Sequence, residues 1–372
     1  WSTCATAGSS TWCCAAWPPS TGTARADAVP RLHLHEVEVA FRRPLSTPDG
    51  TFATRRSVLV GYEENEITGW GEAAAFPSGR WGTADQAWSA LASGDPAAVA
   101  AAPLASAALQ AARRDHDARE RRVPLCSTLG GAIRPVRARL STGLADDPDA
   151  LVGAVKALVD SGAAAVKVKI RPGRDLEPIA ALRAAFSELA ISVDANGGYT
   201  DPDDPVFPAL DALGVDLIEQ PLSPGDLAGC ARLRDRIAAA VCLDEEVRNP
   251  DDATRVLAAA AADVLALKVM RLGYDAALEI LTMCRHAAVG VKAGGTFDTA
   301  IGRHHVLAFA TLDGVIDAEA GPPTGYLTDT LAGYPGFENG TITPLSEPGI
   351  GVDPHPEALA TAVRSTVVEW AS

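Results

Sequence analysis

The stretch Ala165-Val-Lys-Val-Lys-Ile170 decides the fold. In an extended chain Val166, Val168 and Ile170 fall on one face and Lys167 and Lys169 on the other. The aliphatic face suits a covering layer of helices, which leaves both lysines pointing into the middle of a closed sheet. Working outward, β-branched runs of this kind occur at 136–142, 165–170, 191–195, 215–219, 241–245, 264–269, 289–293 and 315–318, each followed by an Ala- and Leu-rich helical stretch. These eight strand–helix units predict an α/β fold, a TIM-like (β/α)8 barrel. A doubly wound open sheet would carry a glycine-rich phosphate fingerprint after its first strand, and none stands there.

The strand ends form a ladder. Lys169, Asp194, Glu219, Asp244 and Lys268 follow one another at intervals of 25, 25, 25 and 24 residues. In a parallel barrel, residues at matching heights converge on the C-terminal mouth, where barrel active sites lie. Asp194 and Asn196 share a face, as do Ala266 and Lys268. Such groups buried without partners would cost several kcal/mol each, so they need one another or a metal. Any single acid could cap the helix that follows it. Three at one spacing, flanked by lysines, read as a hard oxygen site suited to Mg2+ (or Mn2+) rather than zinc. The chain holds five lysines against 27 arginines, and Lys167, Lys169, Lys268 and Lys292 all lie on predicted strands. Arginine is not deprotonated in proteins, so positions that keep lysine amid that bias fit titratable amines.

These parts suit removal of a proton α to a carboxylate. The resulting enediolate needs strong stabilisation, which a divalent cation on the substrate carboxylate supplies. Lys169 is the expected base, its pKa lowered by burial and by Lys167 two residues away. Lys268, on a distant strand, would face the other side of the substrate carbon. Two amines across one carbon allow racemisation or a one-base elimination.

A net charge of −15 argues against nucleic acid or an anionic membrane as the main partner; the partner expected from the ladder's chemistry is a small-molecule carboxylate. No apolar run is long enough to predict a membrane span. Seven scattered cysteines fit reduced thiols in the cytoplasm. Residues 1–29 hold three of the seven tryptophans and three of the seven cysteines, with no amphipathic period. They are expected to be a disordered or non-native extension, with a partner-binding arm through Trp12 and Trp17 as the other reading. Alternating runs from 31 to 72 and helical spacing over 83–122 predict a small α+β domain at 30–135. The barrel spans 136–324. The segment 325–372, with a helical patch predicted at 356–370, is expected to pack back on the N-terminal domain.

Val166-Lys-Val-Lys169, Val193-Asp-Ala-Asn196, Leu217-Ile-Glu-Gln-Pro221, Cys242-Leu-Asp-Glu245 and Ala266-Leu-Lys-Val269 together resemble the enolase superfamily, muconate-lactonizing subgroup. Trp70-Gly-Glu72 and Gly294-Gly-Thr-Phe-Asp-Thr-Ala-Ile-Gly-Arg303 extend the likeness, which runs from about residue 31 to the C-terminus. Within that group the chain most resembles o-succinylbenzoate synthases and N-acylamino acid racemases. The resemblance implies a barrel capped by an α+β domain built from both chain ends, a homo-oligomer, Mg2+ on Asp194, Glu219 and Asp244, and Lys169 as base. In the dehydration that gives o-succinylbenzoate for menaquinone biosynthesis, Lys169 would also return the proton to the leaving hydroxide. Lys268 would then serve as a cation near the intermediate. Two capping loops, near 46–55 and 76–80, would cover the substrate. Alternatives are N-acylamino acid racemisation, dipeptide epimerisation, a muconate-type cycloisomerisation, and a non-catalytic barrel that only binds.

Asn196, Glu245, Arg271 and Thr296 are expected around the substrate. Gly294 and Gly295 form either a phosphate cradle or a tight turn beside the substrate carboxylate. Lys292 either faces the mouth, to bind a second carboxylate, or points outward to a helix acid. Asp317 and Glu319 share a face, close to the Asp-x-Asp with which dipeptide-epimerising relatives bind the substrate amine. Asp298 stands where Glu is commoner, Tyr274 where a second glycine is usual, and Glu246 where Ser is usual. His304 and His305 are expected on a helix rather than on a metal, and Asp115 in a structural role.

Overall fold

A computed structural model describes residues 29–47, 50–144 and 147–370. Strands β1 (Arg31–Thr47), β2 (Gly50–Glu64) and β3 (Ile67–Ala73) form an antiparallel meander. Helices α1 (Ala84–Ala92), α2 (Pro96–Ala101) and α3 (Pro103–Glu120) follow, then the short α4 (Leu125–Thr128). A capping box between Thr83 and Gln86 starts α1. Helix α3 lies so close on β3 that a Cβ at Gly71 would sit 2.2 Å from the Ala108 carbonyl. That approach explains the glycine of the Trp70-Gly-Glu72 motif.

The run predicted as one strand at 136–142 divides in two. Strand β4 (Val136–Arg137) leaves the barrel to join a small sheet, while β5 (Leu140–Thr142) begins the barrel. Then come β6 (Ala165–Lys169), β7 (Ala190–Asp194), β8 (Val215–Glu219), β9 (Ala240–Leu243), β10 (Val264–Leu267), β11 (Gly290–Ala293) and β12 (Val315–Ala318). The eight pair in chain order, all parallel. A parallel bridge between Ala138 and Ala318 closes the ring, with Arg139 N donating to Ala318 O at 2.8 Å. Helices α5 (Pro148–Asp160), α6 (Leu176–Ala185), α7 (Val206–Ala212), α8 (Leu227–Arg234) and α9 (Pro250–Ala258) cover the outside. The covering continues with α10 (Val269–Leu272), α11 (Tyr274–His286) and α12 (Ala300–Ala310).

Two sequence expectations need correction. Among the described residues β12 has no barrel helix directly after it; a single 3-10 turn at Pro323–Gly325 stands there, and Ile316 is left exposed. The chain turns instead to the meander, where Arg42 N donates to Tyr326 O and Thr328 N to Ala40 O. The helix predicted over 356–370 is also cut short. After strands β13 (Phe337–Glu338) and β14 (Thr341–Ile342), which pair with each other and through β14 with β4, α13 spans only Pro356–Ala360. Its continuation, β15 (Arg364–Glu369), pairs antiparallel with β1. The Ser-Thr-Val-Val run at 365–368 suits a pleated, half-buried edge better than a helix. Both chain ends therefore build the α+β cap on the barrel. No helix among the described residues is long and apolar enough to cross a membrane. The segment 1–28, with Trp12 and Trp17, lies outside the described residues.

Cap and barrel are joined by buried polar contacts. Glu72, fully enclosed, accepts from Thr299 N at 3.0 Å, Thr299 Oγ1 at 2.7 Å and Gly302 N at 3.1 Å. It thereby caps the N-terminus of α12 from the other domain. Asp115 accepts from Trp70 N and Ile350 N, and burial pushes it up to about 6 despite Arg119. His304 and His305 lie on α12, as expected. His305 Nε2 donates to Trp70 O at 2.8 Å, and His304 Nε2 to Gly333 O at 2.9 Å. Burial pulls both imidazoles down to about 4. Between that value and the ordinary 6.5 the unfolded chain binds more protons than the folded one. Stability should therefore fall as pH drops through this window, by at most about 1.4 kcal/mol per pH unit for each histidine. Urea unfolding of His305→Gln should show a shallower acid slope; an unchanged slope would argue against the neutral pair.

Candidate active site

Strand register lifts the ladder to one height. Lys169 pairs with Asp194, Asp194 with Glu219, and Glu219 with Cys242, two residues before Asp244. Lys268 follows β10 directly. Strands β6 and β10 are four apart in the ring of eight, so Lys169 and Lys268 stand on opposite walls. Between them Asp194 ends β7, Glu219 ends β8 and Asp244 directly follows β9. Leu217, Cys242, Val264 and Ala266 pack together below.

The charged side chains are in contact. Lys169 Nζ donates to Asp194 Oδ2 and to Asn196 Oδ1, each at 2.6 Å. Asn196 Nδ2 donates in turn to Glu245 Oε1 at 2.9 Å. Lys167 Nζ donates to Glu219 Oε1 at 2.9 Å and lies 3.1 Å from Asp194 Oδ2. Lys268 bonds Asp244, and Arg271 lies 3.8 Å from Asp244 Oδ1 while donating to Val247 O. Burial alone would push Asp194 up, but the ammonium groups of Lys169 and Lys167 hold it well below the carboxylate range. Burial would pull Lys167 down, yet Glu219, Glu319 and Asp194 keep it well above an ordinary lysine. Glu219 and Glu245 are both pushed up, chiefly by burial.

Among the described residues no three His, Cys, Asp or Glu side chains are ready to hold a metal ion as they stand. Ammonium groups stand between the acids instead. The donor set nevertheless has the chemistry of a hard-cation site. Asp244 Oδ1 and Glu245 Oε2 are buried acceptors without hydrogen-bond partners, a costly state that a cation would relieve.

Lys292 is the sequence ambiguity that the fold resolves. It points inward, fully buried, bonding Glu219 and, at 2.9 Å, Glu319 Oε1. The outward alternative is wrong. Glu319 also touches Lys167 and accepts from Gly295 N at 3.3 Å.

Asp317, expected near the substrate, is corrected. Its Oδ2 accepts from Arg139 Nε at 2.6 Å, in a buried pair that also engages Asp216. Arg139 reaches the Val166 carbonyl, low on β6, so Asp317 is committed below the mouth. Asp298 and Thr296 bond each other, through Thr296 N at 3.1 Å and Thr296 Oγ1 at 2.8 Å, and so shape their own turn. A Cβ at Gly294 would lie 3.0 Å from Lys268 Cγ, and one at Gly295 2.4 Å from Arg303 Nη1. This is a tight turn beside Lys268. Tyr274 uses its hydroxyl on His305, and Glu246 accepts from Gly225 N.

Trp81 was not singled out from sequence. Lys268 Nζ lies 5.4 Å and the Arg271 guanidinium 4.9 Å from its ring centre, both within cation–π range. Phe76 meets Trp81 edge-on and also contacts Phe297, drawing the 76–82 segment over the mouth. Phe52, Pro77, Ser78 and Arg80 line one depression, so the two expected capping segments do meet. The aromatic in Gly79-Arg-Trp-Gly82 was the available signal, but its partners lie almost 200 residues away.

The family model described as enolase C-terminal domain-like matches residues 150–358. An o-succinylbenzoate synthase of Geobacillus kaustophilus is 31% identical over 344 residues, covering 86% of this chain and 92% of that protein. An N-succinylamino acid racemase of an Amycolatopsis species is 30% identical over 361 residues, covering 90% and 98%. The muconate lactonizing enzyme of Pseudomonas fluorescens, at 24% identity, shares the fold with a TM-score of 0.80 over 91% of this chain and 100% of that one. The chain belongs to the enolase superfamily and is an enzyme of it.

Proposed function

We propose that the protein removes a proton α to a substrate carboxylate with the aid of Mg2+ or Mn2+ held by Asp194, Glu219 and Asp244. We further propose that its reaction is the dehydration that gives o-succinylbenzoate in menaquinone biosynthesis, carried out in the cytoplasm by a homo-oligomer. The opposition of Lys169 and Lys268, with three acids at the ends of the strands between, carries this reading. The likeness to o-succinylbenzoate synthases along most of the chain supports the particular reaction.

When bound, the cation would stabilise negative charge on the substrate carboxylate as the α-proton leaves. Lys169 is the lysine open to substrate, its side chain 34% exposed against 6% for Lys167 and 8% for Lys268. Its Nζ would take the α-proton and return it to the hydroxyl departing from the same face. The C–H and C–O bonds break, a C=C bond forms, and water leaves. Asp194 and Asn196 orient that amine, while Lys268 presents positive charge from the opposite wall. Trp81 and Phe76 would exclude water from the reacting carbon.

N-acylamino acid racemisation is the second reading, supported by the amine on each wall and by the racemase relative. Dipeptide epimerisation loses support because Asp317 is engaged by Arg139. The test incubates EDTA-treated protein with the cyclohexadiene carboxylate and, separately, with each enantiomer of an N-succinylamino acid in D2O. Restored Mg2+ should restore conversion to o-succinylbenzoate, read by its ultraviolet absorbance. A racemase would instead exchange the α-proton of both enantiomers, and Lys268→Arg should abolish exchange for one hand only. Absence of every metal-dependent conversion and exchange would sink the proposal.

A further inference from the structure

Lys292 takes no part in the reaction above, yet it is among the largest fully buried side chains. Its Nζ bonds Glu219 Oε2 and donates to Glu319 Oε1 at 2.9 Å. Lys167 holds the other oxygen, Glu219 Oε1, at 2.9 Å and also touches Glu319. Both oxygens of Glu219 are therefore gripped by ammonium groups, and Glu319 fixes the two lysines in place. Strands β6, β8 and β11, with the residue directly after β12, contribute this closed square of alternating charge. Around it the cations Lys167, Lys169, Lys268, Lys292 and Arg271 face the anions Asp194, Glu219, Asp244, Glu245 and Glu319. Lys292 and Glu319 thus enter as a matched pair whose loss one at a time unbalances the site.

We propose that Lys292 is a positioning residue that weakens the hold of Glu219 on a divalent cation, with Glu319 as the counterweight that keeps the site bindable. The inference rests on the cation site proposed above. An ammonium on the same carboxylate repels the incoming ion and shares the charge that would bind it. At short range, even with an effective dielectric of about 20, one unit charge beside a divalent ion shifts affinity by about tenfold or more.

The experiment uses the full chain stripped with EDTA and Mn2+ as probe, with free Mn2+ read by electron paramagnetic resonance and thermal melting followed in parallel. Lys292→Met keeps most of the side chain's length without its charge and should lower the Mn2+ Kd by about tenfold or more. It should also enlarge the rise in Tm on adding Mn2+. Glu319→Gln should raise the Kd by a similar factor. Lys292→Met with Glu319→Gln restores the balance and should return the Kd to within about threefold of the unaltered protein. An unchanged or raised Kd in Lys292→Met overturns the inference. Should that variant fail to fold, an unchanged or lowered Kd in Glu319→Gln overturns it alone. If the unaltered protein binds no Mn2+, the cation site itself falls and this inference with it, whereas Mn2+ binding indifferent to both substitutions sinks only the role of Lys292.

Discussion

Lys169→Met should slow α-proton removal by about 10³-fold while leaving the fold in place and Mn2+ bound at least as tightly. The fold should hold because Lys169 is the least enclosed of the four mouth lysines, and Asp194 keeps Lys167 3.1 Å away. The loss should fall on kcat more than on KM, because Nζ is needed when the proton moves. Deuterium exchange into a carboxylate substrate checks this directly, with thermal melting as the control on folding. Exchange that continues at a near-normal rate would assign proton removal to another group, and Lys268 on the facing wall would be the first to test.

Arg139→Met should destabilise the protein by about 3–5 kcal/mol, the cost of leaving a buried charge without its partner. Asp317 and Arg139 have side chains only 5% and 3% exposed, and they meet at 2.6 Å. Asp216, the other partner of Arg139, is 37% exposed and can turn to water. The stranded charge is therefore that of Asp317. Urea unfolding measures the effect, and Arg139→Met with Asp317→Leu should recover most of it by removing both charges. A loss below about 1 kcal/mol would place the pair with ordinary surface salt bridges and reopen Asp317 as a substrate residue.

Much of the candidate site was legible because the barrel is built from units of nearly constant length. Equal spacing in the chain then becomes equal height in the ring, which is why Lys169, Asp194 and Glu219 pair across β6, β7 and β8. Side-chain parity correctly turned Lys167 and Lys169 inward. Parity was insufficient where the sheet is irregular. Between β11 and β12 the register shifts, so that Val291 faces Val315 but Lys292 faces Asp317. The extra residue, Ile316, is exposed, and a similar shift between β7 and β8 falls at Asp216. These bulges re-aim the acids that meet Arg139, which no local pattern announces.

The sequence by itself determined the barrel, the order of its strands, and the lysine and carboxylate ladder. Those features follow from period-two alternation and repeat length, both local properties of the chain. Only the tertiary structure decided that Lys292 turns inward to Glu219 and Glu319, that Asp317 belongs to Arg139, and that Trp81 covers Lys268 and Arg271. It also decided that 364–369 completes the cap as a strand on β1 rather than continuing a helix. Each of these outcomes depends on a partner far away in sequence, where burial and the pairing of charge outweigh local propensity.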